Sequence, residues 1–390
     1  MHRSSNFSLF NIAGTPYLLP VGQGIADHKR GVRINETGIF IWELLREDRS
    51  EKELLDLYAP HFEASASELP QMEADLRQFL QILNNYGMIS CNSDNVQRYL
   101  SISGLTLLLR GPKEAFTQEF DAFEIDSSSC DPSSLHINQT INIVDFAPVF
   151  LSGGTVLLQN PELVVIQGDS HYRLLFPAAP GIYEVHLSID GTNACYYCRP
   201  PYTENFRHDL FHAIRLSFLY LAQLHHMVVL HSASLLYRDR AWLFSGHSGA
   251  GKSTHTNLWK SLYDIHLING DLNLLSMEGE RPTVHGLPWC GTSGISDTHS
   301  YPLGGIFLVK KSSVDRIVEL SDDKAQLLVT QRLISPGWTE AMVQKNLDRI
   351  AEITPHILIC RLYCTKGPTA AETCKQTIDN YLDEKNGGRL

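Results

Sequence analysis

The residues with the clearest chemical promise are Gly246-His247-Ser248-Gly249-Ala250-Gly251-Lys252-Ser253. They follow the pattern G-x-x-x-x-G-K-[ST]. The glycines let backbone N–H groups turn inward and wrap phosphate oxygens. Lys252 can bridge β- and γ-phosphates, and the Ser253 hydroxyl can hold Mg²⁺. The context is the required one: a strand, Ala241–Ser245, runs into the loop, and a helix, Thr254–Leu262, leaves it. The N-terminus of that helix, at Thr254, adds its partial positive charge. A chance glycine turn would need neither flank. The implied cofactors are ATP and Mg²⁺.

A phosphate loop needs a carboxylate nearby. The strand Ile265–Ile268 ends in Asn269-Gly270-Asp271, 19 positions beyond Lys252. That gap fits one helix and one strand, so Asp271 is expected where a Walker-B-like acid should lie, to hold Mg²⁺ or to serve as base. A plain turn cap is the alternative. Further on, Gly286–Ile295 is rich in Gly, Thr and Ser and would place Thr292 and Ser293 near phosphate or acceptor. Arg332 could neutralise a transferring phosphoryl group. An exposed loop and an exposed helix face are the competing readings of these two segments.

The stretch "VLHSASLLYRDRAWLFSGHSGAGKSTHTNLW", followed by "HLINGDLNLL" and "GLPWCGTSGI", resembles HPr kinase/phosphorylase. It also resembles the wider group sharing the phosphoenolpyruvate-carboxykinase nucleotide fold, including kinases of lasso-peptide clusters. The resemblance runs from about Phe206 to Tyr381. It is carried by His231 on the strand before the loop, by the phosphate loop, by the acidic strand end, and by Pro288, Trp289 and Gly291. It implies a mixed sheet, an ATP-dependent phosphoryl transfer, and a His231 that pairs with acid near the γ-phosphate. A histidine packed beside the sheet is the plainer reading of His231. Two departures matter. HPr kinases carry adjacent Asp residues where this chain has Gly270-Asp271, and their E-I-R-G segment is absent. One carboxylate must therefore cover both tasks, or another residue supplies one of them. HPr itself is disfavoured as substrate.

The elements around this centre divide the chain. Phe7–Ile12 and Tyr17–Val21 alternate as a strand pair. Asn35 can cap a first helix through Ile39, Ile41, Trp42 and Leu45. Ser50 with Glu53 forms a capping box for a second. A third begins near Ser67, carries Met72, Leu76, Phe79, Leu80 and Leu83 at helical spacing, and stops at Gly87. This winged-helix-like order, with "INETGIFIWELL" and "FLQILNNYGMIS", resembles the PqqD-type peptide-chaperone domain, or RiPP recognition element, over about Phe7 to Ser90. The resemblance implies a precursor leader peptide as partner, added as a strand and packed on the third helix. An ordinary winged-helix module without a ligand is the alternative. Short alternating runs make 96–203 β-rich, and a helix follows from Glu204 to His226. The expected fold class is α/β, with domains at 1–92 (PqqD-like), 93–203 (β-rich) and 204–390 (HPr kinase-like).

Bulk properties set limits. The 390 residues are 43% hydrophobic and 19% charged, enough for full cores. A net charge of −11 argues against nucleic acid as partner. No apolar run suits a membrane span, because Phe211–Leu230 is broken by His212, Arg215, Gln223, His225 and His226. Met1–Phe10 lacks a signal-peptide core, so a cytoplasmic protein is expected. The eight cysteines then read as free thiols. Cys195 and Cys198 sit at an odd separation on a strand, which points them to opposite faces rather than to one zinc ion. Cys360 and Cys364 form the other close pair. Only "EKNGGRL" reads as a frayed tail. HPr kinases are hexamers, which leaves a homo-oligomer open. The economical reading is a kinase acting on a Ser or Thr hydroxyl of a leader-bound precursor peptide. Its rivals are a small-molecule kinase, for example of free serine, and a nucleotide-gated peptide chaperone without transfer.

Overall fold

The computed structural model describes residues 1–4, 6–21, 25, 31–90, 95–126, 134–145, 148 and 153–387. The chain divides into two compact units. The first holds Met1–Leu100, Thr106–Thr117 and Ile125–Phe211, and the second holds Ser101–Leu105, Gln118–Glu124 and His212–Leu390.

The first unit opens with β1 (His2–Arg3), then the antiparallel strands β2 (Phe7–Ile12), β3 (Thr15–Pro20) and β4 (Val32–Arg33) in the order β2-β3-β4. Three helices follow: α1 (Glu36–Leu44), α2 (Glu51–His61) and α3 (Leu69–Asn85). The local signals do what their chemistry dictates. The Asn35 side chain accepts from Gly38 N at 2.8 Å, and the Ser50/Glu53 capping box forms in both directions. The third helix starts later than Ser67, because the Glu68 carboxylate is spent accepting from Ser65 N and Oγ at 2.8 and 2.6 Å in a preceding turn. Gly87, at φ 65°, closes it. Leu18, Ile41, Trp42, Leu54, Leu76, Leu80 and Leu83 are buried together.

After β5 (Ile89–Ser90), which pairs with β1, the chain builds a second sheet. Its strands are β6 (Asn95–Ile102), β7 (Leu105–Pro112), β8 (Gln139–Val144), β9 (Thr155–Gln159), β10 (Val164–Gln167), β11 (His171–Leu175), β12 (Ile182–Ser188) and β13 (Asn193–Cys198), in the order β6-β7-β8-β13-β12-β11-β10-β9. Cys195 and Cys198 are buried free thiols on β13. Helix α3 packs directly on this sheet. Gln81 Nε2 lies 2.8 Å from His186 Nδ1, and Asn84 Nδ2 donates to Cys195 Sγ at 3.1 Å. Val144, Cys195 and Tyr197 of the sheet share the helices' core.

The second unit contains the remainder of α4 (Glu204–Leu224), then β14 (Val228–Tyr237), β15 (Arg240–Ser245), α5 (Lys252–Tyr263), β16 (Leu267–Asn269), β17 (Leu272–Glu278), β18 (Arg281–His285), β19 (Ser300–Lys311), β20 (Arg316–Glu319), α6 (Asp322–Thr330), α7 (Glu340–Ile353), β21 (Leu358–Cys364) and α8 (Pro368–Gly387). Strands run β15-β14-β17-β18-β19-β21-β20, and β15 also pairs with β19. Strand alternation sorts the two faces. Trp242 and Phe244 pack with Trp259 of α5 and with Ala370, Cys374 and Ile378 of α8. Ala241 and Leu243 pack with Val329 of α6 and with Ile350 and Ile353 of α7. Glycine is required where Trp242 crosses β19: a Cβ on Gly304 would stand 2.6 Å from the indole. Helix α8 continues through Glu384–Gly387, so most of the expected tail is helical; residues 388–390 lie outside the described residues.

The buried ions of the first unit give a stability test. Arg173 Nε and Nη2 donate to Glu184 at 2.7 and 2.9 Å, and His186 Nε2 lies 2.5 Å from the same carboxylate. Burial alone would raise the Glu184 pKa, but the bonds from Arg173 and His186 hold it down to about 2. A depressed carboxyl stabilises the fold above its unfolded pKa, and that contribution is lost as pH falls through the folded value. Arg173→Met should therefore cost about 3–5 kcal/mol near neutrality by stranding a buried charge. In urea titrations its deficit should shrink as pH drops from about 4.5 toward 2; a deficit independent of pH would count against the ion-pair account.

Candidate functional site

Strand register assembles the centre. Val228 to His231 of β14 pair with β17, with His231 opposite Leu272. Ser232 to Tyr237 pair with β15, with Ser232 opposite Ser245. β15 thus joins β14 from Ser232 onward, on the edge away from β17. Ser245 is the last residue before the glycine loop, so the loop leaves the sheet beside His231. Facing the same point, β16 and β17 both pair with β14 and are separated by Gly270-Asp271. The acidic strand therefore does not end at Asp271, as its sequence suggests. It breaks there and resumes.

Asn269 holds the break, a role that the sequence reading missed. Its Oδ1 accepts from Asp271 N and Leu272 N at 2.9 and 3.0 Å, and its Nδ2 donates to the carbonyls of Leu287 and Trp289. The Asn-Gly pair is the available sequence signal, since Asn side chains mimic a backbone turn two residues on. Ser232 N donates to Asp271 O at 2.9 Å. These bonds leave the Asp271 side chain beside His231, with Nε2 3.2 Å from Oδ1 and each side chain 32% exposed. That exposure lets a ligand reach both groups. The hydrogen bond from His231 draws the Asp271 pKa below the usual carboxylate range; burial opposes it, and the charges of Arg215 and Lys252 assist.

Residues 246–251 form a turn between β15 and α5. Gly249 and Gly251 stand at φ 71° and 103°, where a side chain would be strained. Gly246 is buried, while His247, Ser248 and Gly249 are exposed and Ala250 is half-buried. No side chain caps the first turn of α5, so its N–H groups are open to an anion. Lys252 is 8% exposed. Burial lowers its pKa, the nearby Asp271 opposes that, and the nearby Arg332 adds to it. Ser253 and Thr254 are exposed at the helix start. Arg332 joins the group: its Nη2 is 2.9 Å from His247 Nε2, and its buried Nε has no hydrogen-bond partner. The residues present thus fit a phosphate chain, and Ser253 and Asp271 are the side chains whose oxygens would be offered to a Mg²⁺ ion bound with it. Among the described residues, no group of three or more His, Cys, Asp or Glu side chains is placed to hold a metal ion by itself.

Ser293 sits where a second carboxylate would start. A Cβ on Gly270 would stand 2.1 Å from Ser293 Oγ and 2.3 Å from its Cβ. Ser293 Oγ donates to Cys290 O at 2.6 Å, which fixes the turn. Gly291, at φ 60°, faces Asp271 so closely that its own Cβ would lie 3.0 Å from the carboxylate carbon. Thr292 is exposed on the same turn.

Residues 25–89 match the family described as coenzyme PQQ synthesis protein D (PqqD), so a PqqD-type domain occupies that stretch. The match begins later than the expected Phe7 and leaves β2 and β3 outside it. No curated protein matches the chain. Among solved structures, the chain is similar to the Hpr(Ser) kinase/phosphatase from Coxiella burnetii at 9% identity, covering 42% of this chain and 99% of that one, with a TM-score of 0.24. A likeness at that score carries no argument about activity here.

The seating of Ser293 against Gly270 predicts a specific coupling. Gly270→Ala should destabilise the second unit by about 1–3 kcal/mol through overpacking. Adding Ser293→Gly should recover most of that loss in thermal unfolding. A double variant no more stable than Gly270→Ala would show that the turn does not fill this space.

Proposed function

We propose that the chain is an ATP-dependent kinase that transfers the γ-phosphoryl group to a Ser or Thr hydroxyl of a ribosomally made precursor peptide held by its PqqD-type domain. The observation that carries the transfer half is the His231–Asp271 pair, at 3.2 Å, beside a glycine loop whose lysine is buried. ATP supplies the phosphoryl group, and Mg²⁺ draws charge from its oxygens. Lys252 and the open N–H groups of α5 hold the phosphates. Ser253 and Asp271 hold the metal. Arg332 balances charge on the transferring group. The acceptor hydroxyl oxygen bonds to phosphorus, the bond to the ADP oxygen breaks, and the hydroxyl proton passes to the Asp271–His231 pair. Asp271 is kept ionised by its neighbours, which suits metal holding, and the His231 ring lies beside it at 3.2 Å.

The peptide half rests on the PqqD-type match and on the two edge strands of the three-stranded sheet, β2 and β4, each of which pairs only with β3 among the described residues. A peptide strand can add there. Holding the leader raises the local concentration of the acceptor.

Lys252→Ala should abolish measurable ATP binding, because the loop holds no other basic residue of comparable charge. Full-length precursor should show a KM at least about tenfold below that of a leaderless peptide, with equal kcat. Equal KM values would remove the recognition role. His231→Ala should lower kcat by about 10²–10⁴-fold on the folded protein with ATP affinity preserved. Its effect should not multiply with that of Asp271→Asn, since groups that act as one unit fail together. Bound nucleotide with no transfer to any peptide would instead support a nucleotide-gated peptide holder.

A further inference from the structure

We propose that Arg215 is a further anion-facing cation of this centre, committed to an oxygen of the terminal phosphoryl group of a bound nucleoside triphosphate. The inference rests on the nucleotide reading above and adds to it a residue from outside the loop, the acidic strand and the Arg332 segment.

Placement comes from helix α4. Its Phe218 ring lies 5.2 Å from Trp289, and the carbonyl of Trp289 accepts from Asn269, the residue that holds the Asp271 break. Arg215 stands three positions before Phe218, on the same helix face. Helical side chains lean toward the N-terminus, which carries the guanidinium along that face. Its charge and that of Asp271 act on each other, while burial works against its protonated form.

Partnership is the decisive point. Lys252 is the loop's own phosphate residue, and Arg332 is bonded to His247 and to Gln331 O. Arg215 makes no hydrogen bond or ion pair with any described residue. The carboxylate it could have taken, Asp271, is bonded to His231 instead. A half-buried guanidinium with no protein partner gives up part of its hydration without compensation. Its fork of donors matches phosphate oxygens, so a bound phosphoryl group would satisfy it.

The test compares ATP and ADP binding to the full chain by calorimetry, for the wild type and for Arg215→Gln, Arg215→Lys and Arg215→Met. The wild type should bind ATP more tightly than ADP. Arg215→Gln should leave ADP affinity within about twofold and weaken ATP by about 10- to 100-fold, the range of a hydrogen bond between charged groups. Arg215→Lys should recover part of the preference. Arg215→Met should melt no lower than the wild type, because it deletes an unpartnered charge. Three results would overturn the proposal: an ATP preference that survives Arg215→Gln, equal weakening of both nucleotides, or a Tm loss in Arg215→Met with the preference intact. If the wild type binds neither nucleotide, the phosphate-loop reading itself fails and this inference falls with it. Wild-type binding of both without preference removes Arg215 alone.

Discussion

The site depends on one feature of β14: it pairs with β17 up to His231 and with β15 from Ser232 onward. Where β15 begins on one edge of β14 and β17 stops on the other, the ends of both strands come to the same place. One partner delivers Ser245 and the glycine loop. The other opens at Gly270-Asp271, where Ser232 N reaches the Asp271 carbonyl. Antiparallel register has a period of two, so a slip of one residue would turn His231 to the other face. Packing on both faces of the sheet forbids that slip, since Leu235 would exchange faces with Val228 and Leu230. The buried side chains on the two faces therefore fix the geometry of this site.

Electrostatics at this point are one-sided. Arg215 and Lys252 act on Asp271, Arg332 acts on Lys252, and the seat beside Asp271 at Gly270 is filled by Ser293. Crowding cations around a carboxylate holds it ionised and leaves it a weak base. It also leaves the cations short of negative charge, a deficit that a polyphosphate would fill. A centre built with two adjacent carboxylates would face the opposite imbalance and would lean more on metal ions. The single acid here goes with the packing of the turn at 291–293, whose Ser293 fills the space beside Gly270.

Much of this could be read from residue order. The capping box at Ser50 and Glu53, the Asn35 cap and the helix after Gly251 depend on local chemistry, and the sequence shows local chemistry directly. The pairing of His231 with Asp271 was legible as well, because one hairpin and one short crossover separate the elements. What stayed hidden was set by contacts distant in sequence. The continuation of the acidic strand past Asp271 depends on β14 pairing on both sides of the break. The roles of Ser293 and Arg215 depend on segments 22 and 56 positions from Asp271 that no periodicity connects to it. The start of α3 moved for a local reason of another kind, since two serines and an acid competed to form the first turn.

Helix α3 shows why a family match can end before the physical unit does. One face carries Leu76, Leu80 and Leu83 into the core of the helical domain. Gln81 and Asn84 reach the neighbouring sheet and bond to His186 and Cys195. Met72 and Phe79 are half-buried and pack against the helical domain's core from its margin, and Ile82 is half-buried beyond them. In the peptide-binding proposal, the exposed parts of Met72, Phe79 and Ile82 are what a leader could reach. The helix would then be held on two sides before any peptide arrives. A preset groove of that kind loses less conformational entropy on binding than one that forms around its ligand. It also means that cutting the chain after the helical domain would expose part of a shared core, so the recognition step is better probed from the peptide's side than by removing the domain.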